Sequence, residues 1–183
     1  RMAKETLEIY APFAHRFGLA KIKWELEDLA FKYLNPIAYE DIAHKLKARR
    51  KERESYIKKF IEPVEKQLRA EEMKFEIEGR PKHLYSIYNK MVNRNKPFDE
   101  VYDLFAVRIV LDTDIMNDCF TVYGILSSVY KPIPERFKDY ISLPKKNGYQ
   151  SIHGTVIGPD GKMVEVQIRT RAMHEIAEQG VAA

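Results

Sequence analysis

The sequence predicts an α+β fold in which helices come first and a β-sheet with further helices follows. Apolar residues recur at helical spacing up to residue 71, and strand-like alternation then begins at Phe75. The run 103–111 is apolar, rich in β-branched residues and free of Gly and Pro, which is typical of a strand buried on both faces in the middle of a sheet. We therefore divide the chain into residues 1–71 and residues 72–183.

The composition restricts the class of protein. The 183 residues are 45% hydrophobic, which suffices for a core, and their net charge of +4 favours an anionic partner. No apolar run is long enough to span a membrane, and the N-terminus lacks a signal-peptide pattern. The single Cys119 cannot form an internal disulfide, and its apolar neighbours predict a buried thiol in a reducing cytoplasm. Because Arg1 is not a natural start and a helical pattern reaches Ala183, we expect a domain cut from a longer protein.

The helical part of the chain is predicted in two segments. Apolar stripes over 4–34 predict two helices, separated at Gly18 and kinked by Pro12. Further stripes over 37–71 predict helices with a highly charged outer face. The basic run 45–53 has two interpretations: an exposed helix face, or a surface that binds RNA or leans over an anionic site.

The first predicted strand leads into a helix that we expect to begin near Pro81. Arg80, Lys82 and Ser86 lie around the start of this helix. Backbone N–H groups at a helix N-terminus attract anions, particularly where cations surround them. The sequence therefore predicts a phosphate-binding cradle at this point.

The remaining chain is predicted to form a helix over 115–129, a hairpin over 149–169 and a helix from residue 171 onwards. The connection 130–148 is long, strongly basic and rich in aromatic residues. A connection of this length in a compact domain is usually functional or disordered, and its aromatic content argues for function.

Polar side chains at strand ends and on strand faces indicate the chemistry. In the hairpin, Glu165, Gln167 and Arg169 share one face, which either lies in water or belongs to a site. The accompanying cations are Arg80, Lys82, Arg108, Lys138 and Lys145. Asp103 and Glu165 are carboxylates from different strands, and such a pair amid cations suits Mg²⁺ and phosphoryl or nucleotidyl transfer. On the residues alone, a Mg²⁺-dependent nucleotide enzyme, a basic RNA-binding module and an α/β domain without assigned activity all stay open.

Four motifs in the sequence resemble one known family. They are Gly79-Arg80-Pro81-Lys82-His83-Leu84-Tyr85-Ser86-Ile87-Tyr88, Asp103-Leu104-Phe105-Ala106-Val107-Arg108-Ile109, Asn147-Gly148-Tyr149-Gln150-Ser151-Ile152-His153 and Glu165-Val166-Gln167-Ile168-Arg169-Thr170. In order and spacing they are similar to the synthetase domain of the RelA/SpoT-type (p)ppGpp synthetases, the alarmone enzymes of the stringent response. The resemblance implies that residues 1–71 form a helical connector and long helices, and that residues 72–183 form the synthetase catalytic domain.

The resemblance also implies a fold and a reaction. The fold is nucleotidyltransferase-like, with a mixed, largely antiparallel β-sheet flanked by helices. The reaction transfers the β,γ-pyrophosphate of ATP to the ribose 3′-hydroxyl of GDP or GTP and releases AMP. Asp103 and Glu165 are expected to hold Mg²⁺, and Glu165 is also expected to accept the proton of the 3′-hydroxyl.

The matching positions give further expected roles. On the ATP side, Arg80 is expected to stack on adenine, and the phosphate path is lined by Lys82, Ser86, Lys90 and Arg108. On the acceptor side, Tyr149 is expected to stack on guanine, and the other residues near this nucleotide are Lys138, Lys145, Asn147, His153 and Gln167. A loop containing Arg136, Lys138 and Asp139 matches the basic variant of bifunctional long members, which prefer GDP.

The implied partners are ATP and GDP or GTP, together with an upstream hydrolase domain and C-terminal regulatory domains that contact the ribosome. No membrane association is expected. Two alternatives remain: a catalytically silent nucleotide- or RNA-binding domain of the same fold, and a nucleotidyltransferase that extends RNA. The carboxylate pair disfavours the first alternative, and Tyr149 with its long loop disfavours the second.

Overall fold

The computed structural model of the chain describes residues 1–80, 82–100 and 105–180. Within these ranges, helices form the N-terminal part, and a mixed sheet flanked by helices follows, which confirms the predicted α+β class. The predictions made for Asp103 and Pro81 concern positions outside the described residues. No helix in the described ranges combines the length and the apolarity that crossing a bilayer requires.

The N-terminal helices are interrupted at Gly18, as predicted, and a π-helical segment lies close to Pro12, where a kink is predicted. They are α1 (Met2–Glu5), a π-helical segment (Thr6–Tyr10), α2 (Ala11–Arg16), α3 (Ala20–Leu34), α4 (Pro36–Ala48) and α5 (Arg50–Ala70). The π-helical segment ends at Tyr10, two residues before Pro12, which lacks the backbone N–H that a regular α-helix needs. Gly18 separates α2 from α3 with a φ of +75°, a conformation that glycine adopts without steric cost.

The sheet has one parallel pairing. Its strands are β1 (Phe75–Gly79), β2 (Ala106–Leu111), β3 (Lys131–Pro132), β4 (Lys138–Asp139), β5 (Ile152–Ile157) and β6 (Met163–Thr170). The order is β1-β2-β6-β5-β3, and β4 also pairs with β5. Only β2 and β6 are parallel among the described pairings, so the prediction of a mixed, largely antiparallel sheet is confirmed. The other α-helices of the described residues are α6 (Leu84–Arg94), α7 (Asn117–Val129) and α8 (Arg171–Gln179).

One face of the sheet packs against α5 and α7 to form the main core. The buried side chains that these two helices contribute are Tyr56, Phe60, Val64, Leu68, Cys119, Val122 and Leu126. The residues from α5 recur every four positions, which places them on one side of the helix. Burial, with a smaller effect from Asp118, raises the pKa of the Cys119 thiol to about 12, in agreement with the predicted buried thiol.

The opposite face of the sheet is polar. Side chains at paired positions of neighbouring strands lie on the same face, so the register aligns one polar row across five strands. The row consists of Glu78, Arg108, Gln167, His153 and Lys138. Gln167 is 5% exposed and Arg169 is 2% exposed, so the polar face of the hairpin does not simply lie in water.

The segment 130–148 differs from the irregular loop that the sequence predicts. Its strands β3 and β4 pair with β5 at the sheet edge, and Phe137 packs on Tyr123 with ring centroids 4.8 Å apart. Strands of two residues are too short to produce a readable alternation in the sequence. The first strand of the hairpin also begins at Ile152 rather than at Tyr149.

Replacing Phe60 with Ala should destabilise the fold. The Phe60 side chain is fully buried, and its ring lies 4.6 Å from the ring of Tyr130, whose hydroxyl donates to the Phe60 carbonyl. Removing a buried aromatic ring costs about 3–5 kcal/mol in the free energy of unfolding, which urea denaturation measures. Lys66→Ala, an exposed position on the same helix, is the matched control and should remain near wild type. Equal stability of the two variants would contradict the core position of Phe60.

Candidate active site

Glu165 lies on β6 among cations. Its Oε2 accepts a hydrogen bond from Lys82 Nζ at 2.8 Å, and its Oε1 lies 3.9 Å from Arg80 Nη1. Burial by itself would raise the pKa of Glu165, but Lys82, and then Lys90 and Arg80, lower this pKa overall. The carboxylate is therefore ionised at neutral pH, and it is surrounded by three of the cations that the sequence places on the ATP side.

Backbone pairing between strands brings Arg80 close to Glu165. The N–H of Arg80 donates to the carbonyl of Ala106 at 2.7 Å, which extends the β1–β2 pairing beyond Gly79. Ala106 is in turn the register partner of Glu165 across β2 and β6. Because Ala106 has only a methyl side chain, the long side chains of Arg80 and Glu165 reach each other across it.

A cleft of about 640 Å³ opens between α5 and β1. The cations that line it are Arg50, Arg53, Lys58, Arg80 and Lys82. Its volume is within the range of small-molecule sites. Arg50 and Arg53 both belong to the basic run 45–53, so part of this run faces an electropositive cleft, as one of its two interpretations requires.

The start of α6 is not a free phosphate cradle. The N–H groups of Leu84 and Tyr85 donate to the carboxylate of Asp28 on α3, at 3.4 and 2.9 Å. This carboxylate takes the place that an anion would occupy at a helix N-terminus. The prediction of free N–H groups here is wrong, because a local pattern cannot show that a distant carboxylate caps the helix. Ser86 and Lys90 lie one turn apart on α6 and are both partly buried.

Arg80 and His83 contact the N-terminal helices through Trp24. The guanidinium carbon of Arg80 lies 5.4 Å from the Trp24 ring centroid. His83 also contacts Trp24: the two rings are stacked, with their centroids 4.3 Å apart. Arg80, to which the family resemblance assigns adenine stacking, therefore already has one aromatic neighbour.

Two arginines of the polar face are held by α8. Glu178 Oε1 lies 3.4 Å from Arg108 Nη1 and 3.3 Å from Arg169 Nη2. Glu78 provides Arg108 with a second carboxylate at 3.4 Å. Burial lowers the pKa of Arg169 to about 10, which still leaves it charged at neutral pH. The Nε atoms of both arginines are buried without a hydrogen-bond partner among the described residues, so each retains an unused donor.

A second cavity, of about 190 Å³, lies beside the loop that precedes β5. The residues of the predicted acceptor side that line it are Lys145, Asn147, Tyr149, His153 and Gln167. The Tyr149 hydroxyl lies 2.7 Å from His153 Nε2. Tyr140 packs edge-on against both rings, with centroid distances of 6.1 Å to Tyr149 and 5.1 Å to His153. The structure therefore brings together five of the six residues that the sequence assigns to the acceptor.

The electrostatics of this cavity favour an anion. Burial lowers the pKa of His153 to about 4, so its imidazole is neutral at pH 7. Burial also lowers the pKa of Lys145, and the nearby charges of Lys138 and Lys23 lower it further. Lys145 Nζ lies 5.0 Å from the ring centroid of Tyr149. An anionic ligand would relieve the repulsion among these amines.

The loop before β5 fixes the position of Tyr149. Gly148 has a φ of +74°, which closes a turn in which Lys145 N donates to the Tyr149 carbonyl at 3.1 Å. Asn147 Nδ2 donates to the carbonyl of His15 on α2 at 3.0 Å, which fastens the loop to the N-terminal helices. The ring of Tyr149 is therefore held by its own turn and by a contact outside the sheet.

The residues of the predicted specificity loop lie at the sheet edge. Lys138 is exposed on β4, directly across from His153. Asp139 Oδ1 accepts from the N–H groups of Ile141 and Ser142, both at 2.9 Å, so this carboxylate shapes the loop itself. Arg136 ends the 3₁₀ helix Pro134–Arg136 and is partly buried.

Several residues around the site have no role in the sequence-based assignment. They are Lys23, Trp24, Glu78, Tyr140, Arg169 and Glu178. Strand parity already places Arg169 on the same face as Glu165, and this was the available signal. Lys23 and Glu178 are charged residues on helices, and nothing in the local pattern separates them from ordinary solvated charges.

The chain matches the family model described as "Region found in RelA / SpoT proteins" over residues 79–183. The chain belongs to the RelA/SpoT family. It is 51% identical over 181 residues to the GTP pyrophosphokinase of Escherichia coli K12 and 48% identical over 183 residues to the bifunctional (p)ppGpp synthase/hydrolase RelA of Mycobacterium tuberculosis. These alignments cover 99% and 100% of this chain but 24% of each relative. The chain thus spans about a quarter of the length of these curated relatives.

Solved structures of alarmone synthetases share the fold of this RelA/SpoT chain. The small alarmone synthetase 1 of Bacillus subtilis bound to its product pppGpp superposes with a TM-score of 0.54 at 24% identity, covering 75% of this chain and 78% of that one. The small alarmone synthetase 2 of the same organism has a TM-score of 0.51 at 26% identity, covering 67% of this chain and 73% of that one.

Glu165 suits the role of a Mg²⁺ ligand. It is ionised, and its Oε1 lies beyond hydrogen-bond distance from the nearby Arg80 guanidinium. Carboxylate oxygens are the ligands that Mg²⁺ prefers. The other carboxylate of the predicted pair, Asp103, is outside the described residues, so the pairing itself stays a prediction.

His153 should stay neutral in the folded protein until the pH falls to about 4. Its ordinary pKa is 6.5, so between pH 6.5 and about 4 the unfolded chain binds a proton at this residue that the folded chain does not. This residue therefore makes the fold less stable as the pH falls through that window. NMR titration of the imidazole nitrogens measures the pKa, and His153→Gln identifies the signal.

The control for this titration is the same protein in concentrated urea, where the midpoint should return to about 6.5. A midpoint near 6.5 in the folded protein would show that the imidazole is not buried in the way described.

Proposed function

We propose that this chain is the (p)ppGpp synthetase domain of a RelA/SpoT protein, which transfers pyrophosphate from ATP to the 3′-hydroxyl of GDP or GTP and releases AMP. The observation that carries the proposal is that both cavities are lined by Arg80, and Glu165 lies 3.9 Å from this residue. Two nucleotides bound in these cavities would meet beside Glu165. The names of the curated relatives, GTP pyrophosphokinase and (p)ppGpp synthase/hydrolase, agree with this activity.

The larger cleft is proposed to bind ATP. Its cations suit a triphosphate. Of the residues assigned to ATP, Arg80 and Lys82 line this cleft, whereas Ser86, Lys90 and Arg108, which are also assigned to the phosphates, are outside its described lining. Lys82 is 7% exposed, lines this cleft and is paired with Glu165, so its ammonium group is already held beside the proposed base. Preorganised cations of this kind stabilise the charge that develops during phosphoryl transfer without reorganising at that moment.

Glu165 is proposed to accept the proton of the attacking 3′-hydroxyl. Its lowered pKa makes it a weak base, but it is ionised and therefore able to accept a proton at neutral pH. Asp103 and Glu165 are proposed to hold Mg²⁺, which would neutralise charge on the donor phosphates. Lys82 and Arg80 keep the carboxylate oriented between the two nucleotides.

The smaller cavity is proposed to bind the guanine nucleotide. Tyr149 stacks on the base, and the other proposed contacts are Lys138, Lys145, Asn147, His153 and Gln167. The 3₁₀ helix and β4 carry the residues that we propose for GDP preference, Arg136, Lys138 and Asp139. A base with a flat π-face fits an aromatic wall, and the amines provide counter-charges for the phosphates.

The remaining family features are proposals of the same kind. Residues 1–71 are a helical connector with long helices, and residues 72–183 are the catalytic domain. In the longer protein, an upstream hydrolase domain and C-terminal regulatory domains that contact the ribosome are proposed, all in the cytoplasm.

The direct test of activity incubates the chain with labelled ATP, GDP and Mg²⁺ and separates the products. Pyrophosphorylated guanosine with AMP supports the proposal, whereas a chain that binds nucleotide without turnover, or that extends RNA, contradicts it.

Glu165→Gln should lower the rate of (p)ppGpp synthesis by about 100-fold or more, because an uncharged amide cannot accept a proton. The circular dichroism spectrum should not change, since Gln is nearly isosteric with Glu. Asp103→Ala should have the same effect on synthesis. Glu175→Gln, an exposed carboxylate on α8, is the matched control and should retain activity. Near wild-type synthesis by Glu165→Gln would remove this residue from the chemistry.

Tyr149→Ala should raise the KM for GDP while leaving the KM for ATP nearly unchanged. Stacking of a base on an aromatic ring is worth about 1–3 kcal/mol, which corresponds to a rise of about 5- to 150-fold. Steady-state kinetics with each nucleotide varied in turn measures both constants. Tyr33→Ala, at a position that is 78% exposed, serves as the control. An unchanged KM for GDP would exclude the stacking role.

A further inference from the structure

The N-terminal helices form one wall of the smaller cavity. The residues that they contribute to its lining are His15, Gly18, Ala20, Lys23 and Trp24. These residues belong to α2, α3 and the turn between them, and they face the loop of Lys145 and Tyr149. The segment that the sequence identifies as a connector therefore encloses the proposed acceptor site.

The lining of this cavity is strongly electropositive. Among the described residues that line it, Lys23, Lys145 and Arg80 are cations, and none is a carboxylate. Lys23 Nζ has a partner along its own helix, Glu27 Oε1 at 3.2 Å, which lies outside the lining. The side chains of this pair are 26% and 15% exposed, and Lys23 lines the cavity while it is paired with Glu27, so a phosphate can add to this contact without replacing it.

We propose that Lys23 is a further acceptor-binding residue, whose ammonium group contacts the 5′-phosphates of the guanine nucleotide. The inference rests on the proposed role of this cavity and extends it to the N-terminal helices. A phosphate is the favoured contact because an ammonium group forms its strongest hydrogen bonds with charged oxygens. Tyr149 and the neutral His153 provide an aromatic and uncharged environment that suits the base instead.

Two contacts hold the wall that carries Lys23 against the site. Asn147 Nδ2 donates to the carbonyl of His15 at 3.0 Å, which connects the acceptor loop to α2. Gly180, at the end of α8, packs so closely that a Cβ atom there would lie 2.8 Å from the Phe17 carbonyl oxygen. The turn between α2 and α3 is therefore fixed from two sides. Lys23 lies in the first turn of α3, close to this fixed point. Charge from Lys23 reaches the site, since it adds to burial in lowering the pKa of Lys145.

The test compares Lys23→Ala with the wild-type chain by isothermal titration calorimetry, with GDP and guanosine as separate ligands. Losing one charge-assisted contact should weaken GDP binding by about tenfold. Guanosine lacks phosphates, so its affinity should change less than about twofold. Lys23→Arg should restore most of the GDP affinity, because a guanidinium group also binds phosphate. The matched control is Lys21→Ala, an exposed lysine on the same helix, which should bind both ligands like the wild type.

Unchanged GDP affinity in Lys23→Ala would overturn the inference. An equal loss for GDP and guanosine would also overturn it, since this would indicate a structural role for the side chain. The binding measurement does not depend on turnover, so the two proposals fail separately. A chain that binds GDP through Lys23 but makes no (p)ppGpp would contradict the proposed function and support the inference. If the wild-type chain makes (p)ppGpp normally and Lys23→Ala binds GDP with unchanged affinity, the proposed function is supported and the inference about Lys23 is overturned.

Discussion

The parallel pairing of β2 with β6 is the constraint on which the rest of the structure depends. It aligns Ala106 with Glu165 and Arg108 with Gln167 on one face, and it sends the intervening apolar residues into the core. A shift of one residue would exchange the two faces, placing charges against α5 and α7 and apolar side chains in the cavities. The same hydrogen bonds therefore determine both the composition of the core and the position of Glu165.

The polar face carries charges that a purely structural sheet would not need. Glu165 is compensated by Lys82, and Arg169 is compensated by Glu178, yet the Nε atom of Arg169 is buried without a partner among the described residues. Burying ions is costly even when they are paired, and apolar residues of similar volume often give equal or greater stability. An excess of cations around two cavities is the arrangement expected of a protein whose anionic substrates complete the charge balance.

Strong periodicity made much of the architecture predictable. The apolar stripe of α5, the buried run of β2 and the alternation of β6 are repeated patterns, and each gave the correct element and face. The capping of α6 by Asp28 and the place of Lys23 beside the acceptor cavity could not be predicted, since both depend on contacts between distant segments. Motif resemblance added what periodicity lacks, namely roles for Tyr149 and its neighbours. The partnership of Asp103 with Glu165 rests on that resemblance and on strand patterning alone.

The order of the strands also determines how the chain can fold. β1 and β2 form a local antiparallel pair. The other edge of β2 pairs with β6, the last strand that the structure describes, so its backbone hydrogen bonds cannot form until β6 has been made. During synthesis from the N-terminus, a strand edge with apolar side chains is thus open until most of the chain has emerged. The helices that precede β1 involve local contacts and form faster than such long-range pairings. α5 precedes β1 in the chain and packs its apolar stripe into the core of this sheet, so its buried face is available to β1 and β2 before β6 has been made.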